Sequence, residues 1–485
     1  MRLGNKTAIV FSARMIGSAL TFFTTIYLAR LLGAEALGVY TLLLTVLAWV
    51  KLGGFMGVGS GIKKRVSEGE EQGAFFTSGL IMVLVFGVAI SILLFVLSGT
   101  LDAYINEFDT YVGVSVVWVL VPLLIINLWY NTLLKAIEGE NKVHIAAILE
   151  PIKYGFRGVL QVGLLFVGFG LTGMIAGYAA GGIFVGVIAL LYVTVPFRRP
   201  AIRHFKSIYD YAKYAWLGGL KSRSFNDVDI LVLGVFVGEA LIGVYAAAWS
   251  LARFLNLFGG ALSSTLFPEI SRLSKQKETD AVSGLVEDAL TFAGLIVLPG
   301  LVGGLLLGDR LLAVYGPEFV EGTTVFGLLL LAVLVYGYQK QLLNALNAVD
   351  RPDIAFRINA AFIAVNASLN VALIWRYGIV GAAIATAASA VLGVTASYVA
   401  LGRLLEFETP LGEIARQLFA AGVMGIAVYA TRTAGEGTAL SAINELFVAL
   451  LVALGAGVYF LVLLAISSTF RDVVRRNLPV DLPTL

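Results

Sequence analysis

The chain of 485 residues is 59% hydrophobic and only 13% charged, and its mean hydropathy is +0.90. A soluble domain carries roughly a quarter charged residues, so the surplus of apolar surface must face lipid. Cysteine is absent and the only histidines are His144 and His204, which excludes disulfides, thiolate metal sites and Cys/His nucleophile pairs. The formal net charge of +3 is too small to indicate a nucleic-acid partner.

Apolar segments follow one another along the whole chain. The first begins like a signal peptide, but it continues to about Leu32 without a small-residue cleavage site, and we expect it to be retained. Taking about 20 apolar residues per span, the sequence predicts an all-α integral membrane protein with about fourteen transmembrane helices. These lie near residues 7–32, 36–57, 75–99, 111–134, 144–169, 171–194, 208–234, 239–265, 284–307, 323–346, 354–376, 379–402, 412–430 and 443–467.

The loops between these spans differ in charge from one membrane face to the other. If the N-terminus is cytoplasmic, that face carries about twenty Lys and Arg residues and the opposite face carries about four. No loop is long enough for a soluble domain. We therefore expect a multi-pass protein of the cell membrane with both termini in the cytoplasm.

An internal repeat is visible in two places. Residues 33–40 read GAEALGVY and residues 238–245 read GEALIGVY, while GLTG at 170–173 matches GIVG at 378–381 at nearly the same offset. Because an even number of predicted spans separates the copies, the repeats are parallel in the membrane. Two such lobes around a central cavity suit a transporter that works by alternating access.

The repeat divides the chain into three predicted parts. Residues 1–200 form a six-helix lobe, residues 201–405 form a second six-helix lobe, and residues 406–485 hold two further helices and a cytoplasmic tail.

Positively charged side chains occur inside several predicted spans, where an ionisable residue costs about 2.5 to 3.5 kcal/mol and usually faces a cavity or a partner. Lys51 lies in the second span, and Lys153 and Arg157 lie in the fifth. In the first span, Arg14 shares one helix face with Ser and Thr residues. That face either lines a cavity, or Arg14 snorkels to the cytoplasmic surface while the hydroxyls hold helices together.

The seventh span is the most polar of all. Arg223 and Asp227 are four residues apart and can pair with each other, whereas other cations there and in the eighth span have no obvious partner. Excess Arg and Lys in a cavity favours an anionic ligand, and the planar fork of Arg suits phosphate. The cations that this reasoning leaves for such a ligand are Arg14, Lys221 and Arg253.

Oxygen-bearing side chains of the seventh and eleventh spans could bind a coupling cation. Asp227 and Asp229 lie in the seventh span, and Asn366 and Asn370 are four residues apart on one face of the eleventh. Such oxygen ligands suit Na⁺ or H⁺ coupling, although asparagines often only form hydrogen bonds between helices. We expect no other cofactor and no bound metal.

Motifs of soluble enzymes are absent: the chain has no GxSxG, no Walker A sequence and no HExxH. The carboxylates outside the spans cluster at Glu68 to Glu71 and, on the predicted external side, at Asp102 to Asp109. Solvated loop charge explains both clusters. A membrane glycosyltransferase that uses the external cluster is the enzymatic alternative, and we expect a transporter instead.

Several segments together resemble the oligosaccharide flippase, or polysaccharide transporter, branch of the superfamily that also contains multidrug and toxin extrusion (MATE) transporters and lipid II flippases. The resemblance covers roughly the whole chain and is carried by residues 27–40, 226–249, 267–271, 338–346 and 378–383. It implies that helices 1, 2, 7 and 8 line the cavity. The predicted substrate-binding residues on these helices are therefore Arg14, Lys51, Lys221, Arg223 and Arg253.

The resemblance also implies a function. Such a protein moves polyprenyl phosphate- or pyrophosphate-linked oligosaccharide from the cytoplasmic to the outer leaflet, for surface polysaccharide or glycoprotein biosynthesis. Its partners are the lipid-linked glycan, the bilayer and glycan assembly enzymes. A cation-coupled multidrug exporter is the alternative, but the first six predicted spans hold no mid-span carboxylate, with Glu150 near an end.

Overall fold

The computed structural model describes residues 3–52 and 55–477, and these residues form helices joined by short connections, without a β-strand. The α-helices are α1 Leu3–Leu52, α2 Phe55–Ser67, α3 Gln72–Val96, α4 Ser98–Tyr104, α5 Phe108–Val112, α6 Val116–Gly139, α7 Val143–Phe166, α8 Gly170–Tyr192, α9 Ile202–Phe236, α10 Glu239–Phe254, α11 Asn256–Lys275, α12 Thr279–Ala293, α13 Val297–Ala313, α14 Thr323–Ala348, α15 Pro352–Gly402, α16 Leu411–Gly435, α17 Asn444–Ile466 and α18 Ser468–Asn477. A 3-10 helix, Pro317–Gly322, precedes α14.

Within the described residues, every apolar segment predicted from the sequence is mainly helical. Within the described ranges, nine helical stretches are long and apolar enough to cross a membrane. Two of these, Met15–Leu52 and Pro352–Gly402, contain 38 and 51 residues and are long enough for two spans each at about 20 residues per span. The all-helical membrane fold is therefore confirmed, while the count of fourteen spans stays a prediction.

The two longest helices each change direction at one glycine. Gly33 divides α1 with φ 81° and ψ 175°, and Gly378 divides α15 with φ 56° and ψ −135°. Both backbone conformations are strained for residues with a Cβ. Gly170, at the start of α8, has φ 50°. The glycines that begin the matching sequences 170–173 and 378–381 therefore both have a positive φ. The sequence predicted short loops between spans 7–32 and 36–57 and between spans 354–376 and 379–402. In the structure these two connections are kinks at the single residues Gly33 and Gly378.

Two predicted spans are interrupted. The segment predicted at 239–265 divides into α10 and α11, and the segment predicted at 284–307 divides into α12 and α13. Pro299 lies at the third residue of α13 and has no N–H to donate to the carbonyl of Leu295. A continuous helix through this point is therefore unfavourable, which the hydropathy of the segment does not reveal.

The chain folds as two compact units, Met1–Ala246 and Ala247–Leu485. In the first unit, α1 packs on α7, α7 packs on α8, and α9 packs on α1, α2 and α3. In the second unit, α14 packs on α15, and the terminal pair α16 and α17 packs on α13. The predicted lobe boundaries near residues 200 and 405 stay predictions.

The glycines of the first repeat motif lie at a close helix crossing inside the first unit. An added Cβ at Gly38 of α1 would lie 1.8 Å from the carbonyl oxygen of Glu239, and one at Gly243 of α10 would lie 1.9 Å from that of Ala34. The two contacts are nearly equivalent, since in each one a glycine of one helix approaches a backbone carbonyl of the other. The matching sequences 33–40 and 238–245 therefore meet in space, backbone to backbone, where a larger residue has no room.

The connection between α8 and α9 is fixed to neighbouring helices at both ends. At one end, the Glu140 carboxylate accepts hydrogen bonds from the N–H groups of Thr194 and Val195, each 2.8 Å long. At the other end, Nε2 of the buried His204 lies 3.0 Å from Oε2 of Glu71, and Arg203 forms a salt bridge with the same carboxylate. Glu71 is exposed, as expected of solvated loop charge, and its carboxylate also makes these two contacts. Its partners lie more than 130 positions away, where local sequence cannot indicate them.

Candidate anion-binding site in the first unit

A group of cations and aromatic rings lies on α7 and its neighbours. Lys153 and Arg157 are four residues apart, so they project from the same face of α7, and both are half-buried. We call the group the cation–tyrosine cluster, and it consists of Lys153, Arg157, Tyr40, Tyr130, Tyr154 and Tyr178.

Arg157 is held in place by neutral partners. One terminal nitrogen donates to the Tyr40 hydroxyl at 2.7 Å, and Nε donates to Oε1 of Gln161 at 3.2 Å. Its guanidinium carbon lies 4.6 Å from the centre of the Tyr178 ring. Gln161 in turn donates to the Tyr40 hydroxyl at 2.9 Å and to the carbonyl of Met174 at 2.7 Å. The orientation of the guanidinium is therefore fixed by a buried amide and a phenol.

Lys153 has a looser environment. Its Nζ lies 3.4 Å from the Tyr130 hydroxyl, 4.9 Å from the Tyr130 ring centre and 4.6 Å from the Tyr154 ring centre. The Tyr130 hydroxyl donates to Oδ1 of Asn127 at 3.1 Å. Cation–π contacts of this kind contribute about 0.5 to 2 kcal/mol each. They stabilise the ammonium group but leave most of its N–H donors available.

The two cations of the cluster form no ion pair with any carboxylate that the structure describes. Among the described residues, no Asp or Glu oxygen lies within 4.0 Å of either cation, and Glu150, one turn earlier on α7, forms no ion pair. Cations inside a membrane protein usually pair with an acid or face a site. The arrangement therefore provides positive charge, fixed in direction by Arg157, for an anionic ligand.

Small residues let neighbouring helices close on this part of α7. An added Cβ at Gly181 of α8 would lie 2.9 Å from Cβ of Arg157, and one at Gly177 would lie 2.5 Å from Cγ of Gln161. Gly158 of α7 makes the same kind of approach to Thr24 of α1. Glycines four residues apart permit such close helix packing. The local sequence thus places Arg157 and Gln161 firmly against α8.

The five residues predicted to bind substrate are only partly described. The side chains of Arg14, Lys221 and Arg223 lie outside the described part of the structure. Lys51 is half-buried in the last turn of α1. Arg253 is half-buried in the last turn of α10, with its guanidinium 5.4 Å from the Trp249 ring centre. That these five residues line one cavity stays a prediction.

The residues predicted for cation coupling are described in each unit separately. In the first unit, Asp227 and Asp229 are buried, and the Tyr245 hydroxyl donates to Oδ2 of Asp229 at 2.6 Å. In the second unit, Asn366 donates to the Ser389 hydroxyl at 3.4 Å, while Asn370 donates to the carbonyl of Asn366 at 3.0 Å.

Among the residues the structure describes, no group of three or more His, Cys, Asp or Glu residues could hold a metal ion. Coupling to Na⁺ or H⁺ therefore stays a prediction.

The acidic cluster at Asp102 to Asp109, predicted to be external, has a structural role at Asp102. Its Oδ1 accepts a hydrogen bond of 2.8 Å from the N–H of Val116 and one of 2.9 Å from the Ser115 hydroxyl. These contacts cap the start of α6, where free N–H groups favour a carboxylate. The geometry thus accounts for this residue without any chemistry.

Sequence reasoning recognised Lys153 and Arg157 as cations inside a span but did not place them in the predicted site. The predicted site was drawn from helices 1, 2, 7 and 8, whereas these residues belong to the fifth span. The available signal was the four-residue spacing, together with Tyr154 beside Lys153 on the same helix. Tyr40, more than 110 positions away, could not be assigned to the site from spacing.

Among the described residues, the nine helical stretches long and apolar enough to cross a membrane define a multi-pass membrane protein. The comparison with known families agrees: the model of the polysaccharide biosynthesis protein family matches residues 27–322. The chain therefore belongs to that family.

Known proteins resemble the chain over most of its length. It is 30% identical to "Probable flippase AglR" of Haloferax volcanii, over 99% of each chain. It is 27% identical to "Probable low-salt glycan biosynthesis flippase Agl15" of the same organism, over 80% of this chain and 81% of that protein. The fold also matches the solved structure titled "Lipid II flippase MurJ, inward closed conformation", with TM-score 0.77 and 18% identity. The match covers 96% of this chain and 100% of that chain. At that identity it shows a shared fold alone.

Proposed function

We propose that this protein is a flippase that moves a polyprenyl phosphate- or pyrophosphate-linked oligosaccharide from the cytoplasmic to the outer leaflet. The names of the relatives AglR and Agl15 support a flippase, and the name of Agl15 supports a glycan cargo. The cargo would serve surface polysaccharide or glycoprotein biosynthesis. Glycan assembly enzymes would supply it at the cytoplasmic face.

The single observation that carries this proposal is the unneutralised charge of the cation–tyrosine cluster. The sequence predicts that α7 is a membrane span, in which each cation costs about 2.5 to 3.5 kcal/mol on insertion scales. Neither Lys153 nor Arg157 forms an ion pair with a described carboxylate to offset this cost. A phosphate group offsets it when bound, because its oxygens accept several charge-assisted hydrogen bonds. The alternative cargo, a cationic drug, would be repelled by the same charges.

The proposed mechanism is alternating access between the two repeats. The phosphate-bearing headgroup enters from the cytoplasmic side and is neutralised by the cations, while the polyprenyl tail stays in the bilayer. The headgroup is released outside once access changes. Asp227, Asp229, Asn366 and Asn370 are the proposed residues for coupling this cycle to Na⁺ or H⁺.

Translocation by purified protein in proteoliposomes tests the proposal. A labelled polyprenyl-diphosphate glycan should reach the opposite leaflet with the protein present and not in empty vesicles. The variant Arg14→Ala with Arg223→Ala should slow this movement about tenfold or more if these residues bind the phosphate. Assays with an imposed Na⁺ gradient and an imposed pH gradient identify the coupling ion.

The same vesicles distinguish the alternative. Uptake of a cationic dye, with no movement of any lipid-linked glycan, would replace the flippase proposal with a cation-coupled multidrug exporter.

A further inference from the structure

We infer that the anionic group of the cargo binds to Lys153 and Arg157 in the first repeat, and that the second repeat has no counterpart of this binding site. This inference rests on the proposed function, and it locates the site on one repeat instead of dividing it equally between the two. Three observations lead to it: the repeat correspondence, the use of two equivalent tyrosines, and the donors left available on the cations.

The second repeat lacks both cations at the corresponding positions. At the offset that relates Gly170 to Gly378, Lys153 corresponds to Ala361 and Arg157 corresponds to Val365. The first part of α15 therefore forms the equivalent helix with small or apolar residues there. The fold does not need charge at these positions, so a purely structural role for the two cations is not required.

Two equivalent tyrosines bind side chains of opposite charge. Tyr40 and Tyr245 end the matching sequences 33–40 and 238–245. The Tyr40 hydroxyl accepts a hydrogen bond from Arg157, whereas the Tyr245 hydroxyl donates one to Asp229. The same place in the repeat thus orients a cation in one copy and an anion in the other. This asymmetry assigns anion binding to the copy that contains Arg157.

The cations retain the donors that a phosphate requires. A guanidinium has five N–H donors, and Arg157 uses its Nε and one terminal nitrogen for Gln161 and Tyr40. Lys153 projects from the same face of α7, with its Cα about 6 Å from that of Arg157 along the helix axis. Its ammonium group and the remaining N–H groups of Arg157 can hold a group with several anionic oxygens. Tyr40 and Gln161 are positioning residues, since they orient the guanidinium without binding the ligand.

Two parts of a cargo could supply these oxygens. One is the phosphate or diphosphate of the lipid carrier, and the other is the carboxylate of an acidic sugar in the glycan. Both present anionic oxygens to the cations. The experiment therefore uses three probes: a polyprenyl-diphosphate carrying neutral sugars, the same glycan as a free neutral sugar, and a free glycan that contains a hexuronate.

The key variant replaces the two cations by the residues of the second repeat, Lys153→Ala with Arg157→Val. Since the chain already forms a helix with those residues in its other copy, we expect the variant to fold, as judged by its elution and unfolding temperature. We expect its Kd for the polyprenyl-diphosphate probe to rise about tenfold or more and its flipping rate to fall in parallel. Arg157→Lys keeps the positive charge but lacks the planar guanidinium. Its Kd and flipping rate should lie between those of the double variant and those of the native protein.

A pair of tyrosine variants tests the positioning role. Tyr40→Phe removes the hydroxyl that holds Arg157, while Tyr104→Phe removes a hydroxyl that donates to the Leu231 carbonyl elsewhere in the first unit. We expect Tyr40→Phe to weaken binding of the diphosphate probe several-fold and to steepen its loss with added salt. Tyr104→Phe should change neither measurement, which separates positioning from general stability.

The outcomes separate the inference from the proposed function. If the native protein flips the diphosphate glycan and Lys153→Ala with Arg157→Val binds and flips it equally well, this site is wrong and the flippase proposal stands. If the native protein neither binds nor flips any probe, the proposed function itself is wrong. Binding of the hexuronate glycan alone, lost in the variant, would assign the site to the sugar instead of the carrier phosphate.

Discussion

Glu71 shows how one side chain at a helix start joins distant parts of the first unit. Its carboxylate contacts His204 and Arg203 at the start of α9. The His204 ring accepts a hydrogen bond of 2.8 Å from the N–H of Ala201 at Nδ1, so the neutral ring carries its proton on Nε2, facing Glu71. The hydrogen bond from His204 and the charge of Arg203 lower the pKa of Glu71 below its ordinary value.

The pH dependence of stability follows from the direction of this shift. A carboxylate whose pKa is lowered by folding stabilises the protein above its unfolded pKa, and this contribution is lost as the pH falls through the folded value. We therefore expect Glu71→Gln to lower the unfolding temperature at pH 7, with the difference from the native protein shrinking below about pH 4.5. Thermal unfolding in detergent between pH 7 and pH 3.5 measures this difference in unfolding temperature.

Glu70→Gln is the matched control, because the neighbouring Glu70 is exposed and forms no ion pair or hydrogen bond among the described residues. It should unfold like the native protein at every pH. An equal effect of the two variants would mean that the loss of charge in this loop matters, and not the contact with α9.

At the scale of the helices, the crossing of α1 and α10 depends on two glycines. Because an added Cβ at Gly38 would lie 1.8 Å from the Glu239 carbonyl oxygen, neither helix can keep its place if Gly38 becomes alanine. We expect Gly38→Ala and Gly243→Ala each to destabilise the protein by about 1 to 3 kcal/mol, the usual range for overpacking. The unfolding temperature of each purified variant measures the loss.

Gly163→Ala on α7 provides the comparison, since nothing lies within 4 Å of its added Cβ. There the greater helix propensity of alanine should raise stability slightly. If all three substitutions gave the same result, the close backbone contact at the crossing would have no energetic role.

At the scale of the whole molecule, orientation in the membrane is a prediction from charge alone. The chain has no cysteine, so single cysteines can be introduced without any background. Glu70→Cys places an exposed thiol in the loop before α3, and Thr110→Cys places one on the short helix α5, which precedes α6. The two positions are predicted to lie on opposite faces of the membrane. In intact cells, a membrane-impermeant maleimide should label Thr110→Cys and not Glu70→Cys.

Opening the cells should allow both cysteines to react, which controls for accessibility of the thiols. Thr438→Cys, exposed between α16 and α17, should behave like Thr110→Cys if the C-terminus is cytoplasmic. Labelling of Glu70→Cys alone in intact cells would invert the predicted topology and with it the direction of transport.

The sequence by itself determined the membrane class and the positions of the helical segments. It also predicted the parallel repeat and the cations within spans. These properties are local, because each segment must satisfy the bilayer on its own through its hydropathy and charge. The matching turns of the repeat needed only the glycines at 170 and 378, since positive φ is a property of single residues.

Only the tertiary structure decided which cations and aromatic rings lie together. The partners of Arg157 include Tyr40, 117 positions away, and the partner of Glu71 lies 133 positions away. Such contacts depend on the rotation of each helix and on the close approach that Gly177 and Gly181 permit. Hydropathy does not encode that rotation, because lipid accepts many apolar faces equally well, whereas packing between helices selects one.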